Sequence, residues 1–245
     1  MPGVKYSMIA LICAVQAEAS LLLEETVVSS TVAHGSKTVI EGMLHNQHVL
    51  LCVGGMGKVN ASHAATLLFT GFSPEAVVVF GVGGAYPASG AKVGDVALAI
   101  EEVAGDEGVL TREGFKDVEY IKTGKVAIFS TYPASGPLVR RSLQLLTSRQ
   151  GTGDHRVHAG TFVTLSTCTG TDERARELET RYHGLCENME GAAVAQVAGL
   201  HGIPWIEVRG ISNLVEDRDL RKWDIPRAAE AAQAAVLQIL EGWNG

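Results

Sequence analysis

The chain has 245 residues, of which 46% are hydrophobic and 19% charged, and it carries a net charge of −7. So much apolar material excludes a disordered or acidic-tail protein. The negative balance excludes general nucleic-acid binding, which needs a basic surface to neutralise phosphates. What remains is a globular protein that handles small molecules, its length suited to a single α/β domain spanning 1–245.

The opening apolar run, inside MPGVKYSMIALICAV, has the length of a buried strand and lacks a small-residue cleavage site, so neither a signal peptide nor a membrane span is expected. The spacing predicts a strand at 7–15 and a helix at 16–25, then a hairpin of 39–44 and 48–53 around the polar residues 45–47. Gly54-Gly55-Met56-Gly57 leads into a predicted helix at 59–69, and Pro74 punctuates the entry to a buried strand at 76–80. A glycine-rich turn at 81–84 and a strand at 95–100 come next, followed by a polar segment at 105–125 that is too long for a plain connection. Beyond it are predicted a strand at 126–129, a helix at 137–147, a strand at 158–165 and helices at 173–182 and 189–200. A strand at 204–211 and a helix at 226–243 close the chain. This alternation implies a mixed or parallel sheet covered by helices.

Neither glycine-rich stretch is a familiar nucleotide loop. Lys58 is followed by Val59 where magnesium coordination needs Ser or Thr, and 81–84 lacks the third glycine and ribose-binding acid of a dinucleotide site. Glycines after a buried strand let backbone N–H groups approach a ligand, although a tight strand-to-loop turn explains them equally. Glu18 lies just past the first strand at a helix start, where the dipole favours a carboxylate, yet a solvated first-turn glutamate fits the same position. Glu190 precedes Gly191, Ala192, Ala195, Ala198 and Gly199, a helix face made for close packing, so its carboxyl points inward and needs partners such as sugar hydroxyls.

The strand at 204–211 delivers Ser212 and Asn213 to the ligand edge of the sheet, unless Asn213 merely caps a turn. Residues 216–219 read as a solvated charged loop, and Asp224 with Pro226 as a helix start. His155 and His158 fall on opposite faces of a strand, which excludes a metal pair. Cys13, Cys52, Cys168 and Cys186 form no CxxC pair, so neither zinc nor disulfides are expected and the reducing cytoplasm is the expected compartment. Cys168 has no recognisable base beside it.

In chain order, Ala17-Glu18-Ala19, Gly81-Val82-Gly83-Gly84 with Val93-Gly94-Asp95, Asn188-Met189-Glu190-Gly191-Ala192-Ala193 and Arg209-Gly210-Ile211-Ser212-Asn213 resemble the purine nucleosidases and phosphorylases. The likeness runs from Ser7 to Gln238. Gly83-Gly84-Ala85-Tyr86-Pro87, Gly105-Asp106-Glu107-Gly108-Val109, Ser166-Thr167-Cys168-Thr169-Gly170-Thr171 and Trp223-Asp224-Ile225-Pro226 are most similar to the branch of that family that acts on futalosine.

The resemblance implies a three-layer α/β/α fold with a central mixed sheet and a homo-oligomer that binds neither nucleic acid nor membrane. It implies cofactor-free, metal-free hydrolysis of the N-glycosidic bond of futalosine, releasing hypoxanthine on a route to menaquinone. It assigns Glu18 to activation of water, Arg209 to holding that water, Glu190 with Asn188 to the ribose, Met189 to packing on the sugar, and Gly83, Gly84 and Thr169 to the base. Adenine-specific relatives carry aspartate where this chain has Asn213. An amide accepts from N7–H through its carbonyl and donates to an oxygen at C6, which suits hypoxanthine. No basic residue lies in 16–25 or 77–80, where phosphorylases of this fold place arginines, so water is the expected nucleophile. An adenine nucleosidase for methylthioadenosine or S-adenosylhomocysteine, a phosphorylase and a purine-binding module without turnover are the alternatives. The benzoate end of the substrate falls to Arg112, to Lys116 or to a neighbouring subunit.

Overall fold

The computed structural model describes residues 8–118, 129–148 and 155–243. The elements in order are β1 (Met8–Cys13), a 3₁₀ turn (Gln16–Glu18), α1 (Ser20–Glu25), β2 (Val27–His34), β3 (Lys37–Leu44), β4 (Gln47–Val53), α2 (Lys58–Phe72) and β5 (Ala76–Ala85). Then come β6 (Val96–Ala104), β7 (Gly108–Thr111), β8 (Gly114–Asp117), β9 (Thr131–Pro133), α3 (Gly136–Ser148), β10 (Val157–Thr164), α4 (Asp172–Tyr182), β11 (Gly184–Asn188), α5 (Gly191–His201), β12 (Trp205–Leu214) and α6 (Ile225–Glu241).

The central sheet runs β11-β10-β6-β12-β5-β1-β4-β3-β2, with β9 on β6. It is mixed: β4, β1, β5 and β12 are mutually parallel, whereas β12 meets β6 antiparallel and β2, β3 and β4 form an antiparallel meander. Alternate residues of the buried strands feed two cores. Ala10, Ile12, Val77 and Val79 face the α2 and α5 side, while Ile9, Leu11, Val78 and Phe80 face the side of α3 and α6. Helices on both faces explain why β1 and β5 read as unbroken apolar runs. Full burial of a side chain such as Leu11 contributes about 2 kcal/mol. Among the described residues no helix is long and apolar enough to cross a membrane.

The three-layer α/β/α expectation therefore holds, with local differences. The first helix is broken at Ala19 (φ −120°, ψ 0°) into a 3₁₀ turn and α1. β2 and β11 went unforeseen because β2 is mostly exposed and β11 buries two polar residues, Glu187 and Asn188, so neither shows a strand's usual pattern. The polar segment from 105 contains the β7–β8 hairpin, and of the strand expected at 126–129 all but Phe129 lies outside the described residues. The glycines at 81–84 are not a turn but the second half of β5, whose end pairs antiparallel with β11 (Glu187 opposite Gly84), curling the sheet back on itself. β12 likewise runs past its expected end, with a register shift at Ser212 that re-aims Asn213. The start of α6 is as expected: Asp224 accepts from Arg227 N at 3.1 Å, and Pro226 occupies the first turn.

Asp95 ties the starts of β6 and β10 together, accepting from Lys92 N (3.0 Å), Arg156 N (2.9 Å) and His158 Nε2 (2.9 Å). Burial works to raise its pKa, but these donors outweigh it and hold the carboxyl below its ordinary value. A depressed native pKa stabilises the fold above the unfolded carboxylate value of about 3.9, and that contribution is lost as the pH falls through the native value. Asp95→Asn is therefore expected to lower the urea midpoint at pH 7 and to lose less stability than wild type between pH 5 and pH 3, as measured by urea titrations.

Candidate active site

The carboxyl ends of β1, β4, β5 and β12 converge on a cluster of buried ionisable groups around Arg209, which is 2% exposed. Arg209 Nε donates to Glu207 Oε1 at 2.7 Å, Nη1 to the Val82 carbonyl at 3.1 Å and Nη2 to Glu190 Oε2 at 3.2 Å. Burial alone would weaken the guanidinium's hold on its proton, but Glu207, Glu190 and Glu18 together raise its pKa, so it stays charged.

Glu18, expected near a helix start, sits at the end of the 3₁₀ turn and reaches back. Its Oε2 accepts from Ala14 N (2.9 Å) and Val15 N (3.1 Å), and its Oε1 from Val82 N (2.9 Å). Three backbone donors thus fix the carboxylate. Gly81 makes room for it, because a Cβ there would lie 2.5 Å from Glu18 Oε1 and 3.0 Å from Arg209 Nη1. Those two distances also place Glu18 beside the guanidinium.

Glu190 is the residue before α5, and its Oε1 accepts from Gly57 N at 2.9 Å, which draws the β4–α2 connection over the site. Asn188 Oδ1 accepts from Glu190 N (2.9 Å) and Gly191 N (2.8 Å), so it shapes this helix start instead of pointing outward. Met189 is half-buried, its sulfur 3.6 Å from Cys168 Sγ. Thr169 donates from its backbone N (2.8 Å) and its hydroxyl (2.6 Å) to Glu187, and Tyr86 OH reaches the same carboxyl at 3.2 Å. Burial pushes Glu187 up, against the pull of these donors. Register puts Glu187, Gly84 and Asn213 side by side across β11, β5 and β12. The Asn213 amide donates to the Leu214 carbonyl (2.9 Å) and accepts from Ser212 Oγ (2.8 Å), leaving one N–H and one lone pair. Gly83 is buried beside it in β5. All nine residues expected from the sequence thus gather at one edge of the sheet.

Two further groups escaped the sequence reading. Glu102 and Glu207 are both fully buried, and a Cβ on Gly191 would lie 2.0 Å from Glu102 Oε1 and 2.1 Å from Glu207 Oε2. Only glycine at the start of α5 lets the helix sit over this pair. Among the described residues Glu207 Oε2 lacks a partner unless Glu102 carries a proton. Burial, and then the charge of Glu207, raise Glu102 far above the ordinary carboxylate range; burial raises Glu207 as well, but Arg209 pulls against it there, so the shared proton resides on Glu102. Glu102 also accepts from Thr164 Oγ1 (2.7 Å) and from the Asn188 amide, so the pair grips both Arg209 and Asn188 from behind. Its signal in the sequence was two acids inside strand-like runs.

The Gly105-Asp106-Glu107 stretch has a bracing role. Lys58 pairs with Asp106 and Glu107, and Asp106 Oδ2 accepts from Ser166 N at 2.7 Å, joining α2 to the segment that carries Thr169. Cys13 lines a small hollow with Ala14, Gly55, Phe80, Glu190 and Arg209, its thiol pushed far up by burial and then by Glu18. Among the described residues no group of three His, Cys, Asp or Glu side chains could hold a metal ion.

The chain belongs to the phosphorylase superfamily, whose family model matches residues 8–241. Among curated relatives, futalosine hydrolase of Streptomyces coelicolor is 37% identical over 174 residues, covering 69% of this chain and 68% of that one. A 5′-methylthioadenosine/S-adenosylhomocysteine nucleosidase of Mycobacterium bovis is 30% identical over 185 residues, covering 71% and 72%. The solved structure of futalosine hydrolase from Helicobacter pylori superposes with a TM-score of 0.82 over 96% of this chain and 98% of that one, at 20% identity, which speaks for the fold.

Proposed function

We propose that this protein is an N-glycosidase that hydrolyses futalosine to hypoxanthine and dehypoxanthine futalosine, the futalosine route to menaquinone being its setting. The observation that carries the reading is that Glu190 pairs with the buried guanidinium of Arg209 while the carboxylate of Glu18 lies close by, across the space over Gly81. Water held between Glu18 and Arg209 attacks the anomeric carbon, with Glu18 as general base. Glu190 binds ribose hydroxyls, and its charge favours the oxocarbenium-like transition state. Asn188 and Met189 set the sugar's seat, and Gly83, Gly84 and Thr169 line the base. The free lone pair and N–H of Asn213 face N7–H and the C6 oxygen. Carboxylates outnumber the single guanidinium of this cluster, so a phosphate dianion is repelled and water is the nucleophile.

The protein works in the cytoplasm, in keeping with its four free cysteines, and as a homo-oligomer. Val15, Met56 and Val59 put exposed apolar surface at the rim of the site, where a second copy would cover it.

The reading is tested by chromatography of products from futalosine, inosine and methylthioadenosine, each with and without phosphate. Hypoxanthine from futalosine regardless of phosphate is the expected result. Activity that disappears without phosphate means phosphorolysis, and preference for methylthioadenosine means an adenine nucleosidase. Asn213→Asp is expected to cut kcat/KM for futalosine roughly ten- to a hundredfold, because one mismatched buried polar contact costs about 1–3 kcal/mol. The same variant should gain on methylthioadenosine, and steady-state rates on the two substrates report both changes.

A further inference from the structure

We propose that Glu207, backed by Glu102, is a positioning residue of the hydrolysis: it turns the Arg209 guanidinium so that one N–H not used by the fold faces the Glu18 carboxylate over Gly81. This rests on the nucleosidase reading above.

The placement begins with the strand. Glu207 and Arg209 are two residues apart in β12, so both side chains leave the face covered by α5, while Ile206 and Val208 pack on the side of α3 and α6. The arginine is therefore laid back along its own strand, where Glu207 Oε1 meets Nε at 2.7 Å. A guanidinium is a rigid plane, so a bond at Nε sets the direction of its other N–H groups. Nη1 gives one N–H to the Val82 carbonyl, and Nη2 gives its two to Glu190 Oε2 and, at 3.5 Å, to Asn188 Oδ1. Four of the five N–H groups are thus placed, and the fifth is on Nη1. A Cβ on Gly81 would lie 3.0 Å from Nη1 and 2.5 Å from Glu18 Oε1, so this N–H and the carboxylate border the same space.

The carboxyl of Glu207 needs an anchor of its own. Among the described residues its Oε2 has no hydrogen-bond donor, and this oxygen and Glu102 Oε1 crowd the point where a Cβ of Gly191 would stand, at 2.1 and 2.0 Å. Two buried carboxylates repel each other at such range, and one proton between them turns the repulsion into a hydrogen bond. Glu102 is itself fixed by the Thr164 hydroxyl at 2.7 Å and by the Asn188 amide. Take Glu102 away, and Glu207 Oε2 is a buried charge that nothing holds, so the bond from Nε to Oε1 loses its direction.

The test measures kcat and KM on futalosine for wild type, Glu207→Leu and Glu207→Gln, with working sites counted by calorimetric titration with hypoxanthine. Glu207→Leu should lose kcat per site about a hundredfold, as a misplacement of about 1 Å does, while KM and the affinity for hypoxanthine stay as in wild type. Glu207→Gln should recover most of that rate, because its carbonyl accepts from Nε and its amide donates to Glu102. A leucine variant with wild-type kcat, a glutamine variant no faster than the leucine one, or a loss that falls on affinity instead of rate overturns the assignment. If Glu207→Leu shows no cooperative thermal transition, Glu102→Met decides in its place, since it leaves Arg209 its carboxylate. A drop in kcat of about tenfold at unchanged affinity then supports the assignment, and wild-type kcat overturns it. A wild type inactive on futalosine, inosine and methylthioadenosine alike overturns the nucleosidase reading as well, whereas a working wild type beside an unimpaired Glu207→Leu overturns the positioning alone.

Discussion

Replacing Glu18 with alanine is expected to lower kcat about a thousandfold while KM changes little. General-base catalysis contributes about 10² to 10⁴, and Glu18 is the carboxylate fixed by three backbone donors beside Arg209. A loss confined to kcat marks an interaction made in the transition state. Glu18→Gln separates chemistry from structure, since its amide oxygen still accepts a hydrogen bond but cannot take a proton from water. It should be as slow as the alanine variant and melt closer to wild type. Steady-state kinetics with futalosine and a thermal scan of both variants check this. A glutamine variant with wild-type kcat would remove Glu18 from the mechanism.

Arg209→Met has the largest expected effect on stability, a loss of about 3–5 kcal/mol, because it strands carboxylates in a buried site. Glu207 and Glu190 both lose the guanidinium, and Glu102 already occupies the far side of Glu207. Turnover should disappear as well. The cause is separable in a double variant: adding Glu207→Gln removes one stranded charge and should return part of the lost stability without returning activity. Urea denaturation of the single and double variants provides the measurement, and additive losses would show that the two residues do not share an energetic unit.

Much of the site was legible because the chemistry-bearing residues sit at strand ends and helix starts, places that sequence marks with glycines, acids and runs of small residues. Glu18, Glu190 and Asn213 stood out this way as candidates, and the family resemblance supplied their expected roles. The Glu102–Glu207 pair was hidden for the opposite reason. Each acid lies within a strand, where an isolated carboxylate normally reads as a solvent-facing position, and only the sheet order, with β6 beside β12, shows that they meet.

The same limit applies to the fold. Unbroken apolar runs specified β1 and β5, and helical periodicity the helices, but β2 is largely exposed and β11 spends its burial on polar groups, so both lacked the usual pattern. Gly81 to Gly84 looked like a turn because glycine is poor in strands. They are strand here because Glu18 and β11 press against them too closely for side chains.

β11 is laced to β10 along one edge and to the tail of β5 along the other. A strand sewn in on both margins cannot swing aside without tearing two ladders at once, so Asn188, at its end, and Glu190, just beyond, form the anvil of the site. Admitting a nucleoside and releasing its purine then falls to the walls that lie outside those ladders: the stretch at 54–57, clasped to Glu190 through Gly57, and the stretch at 166–171, clasped to Glu187 through Thr169.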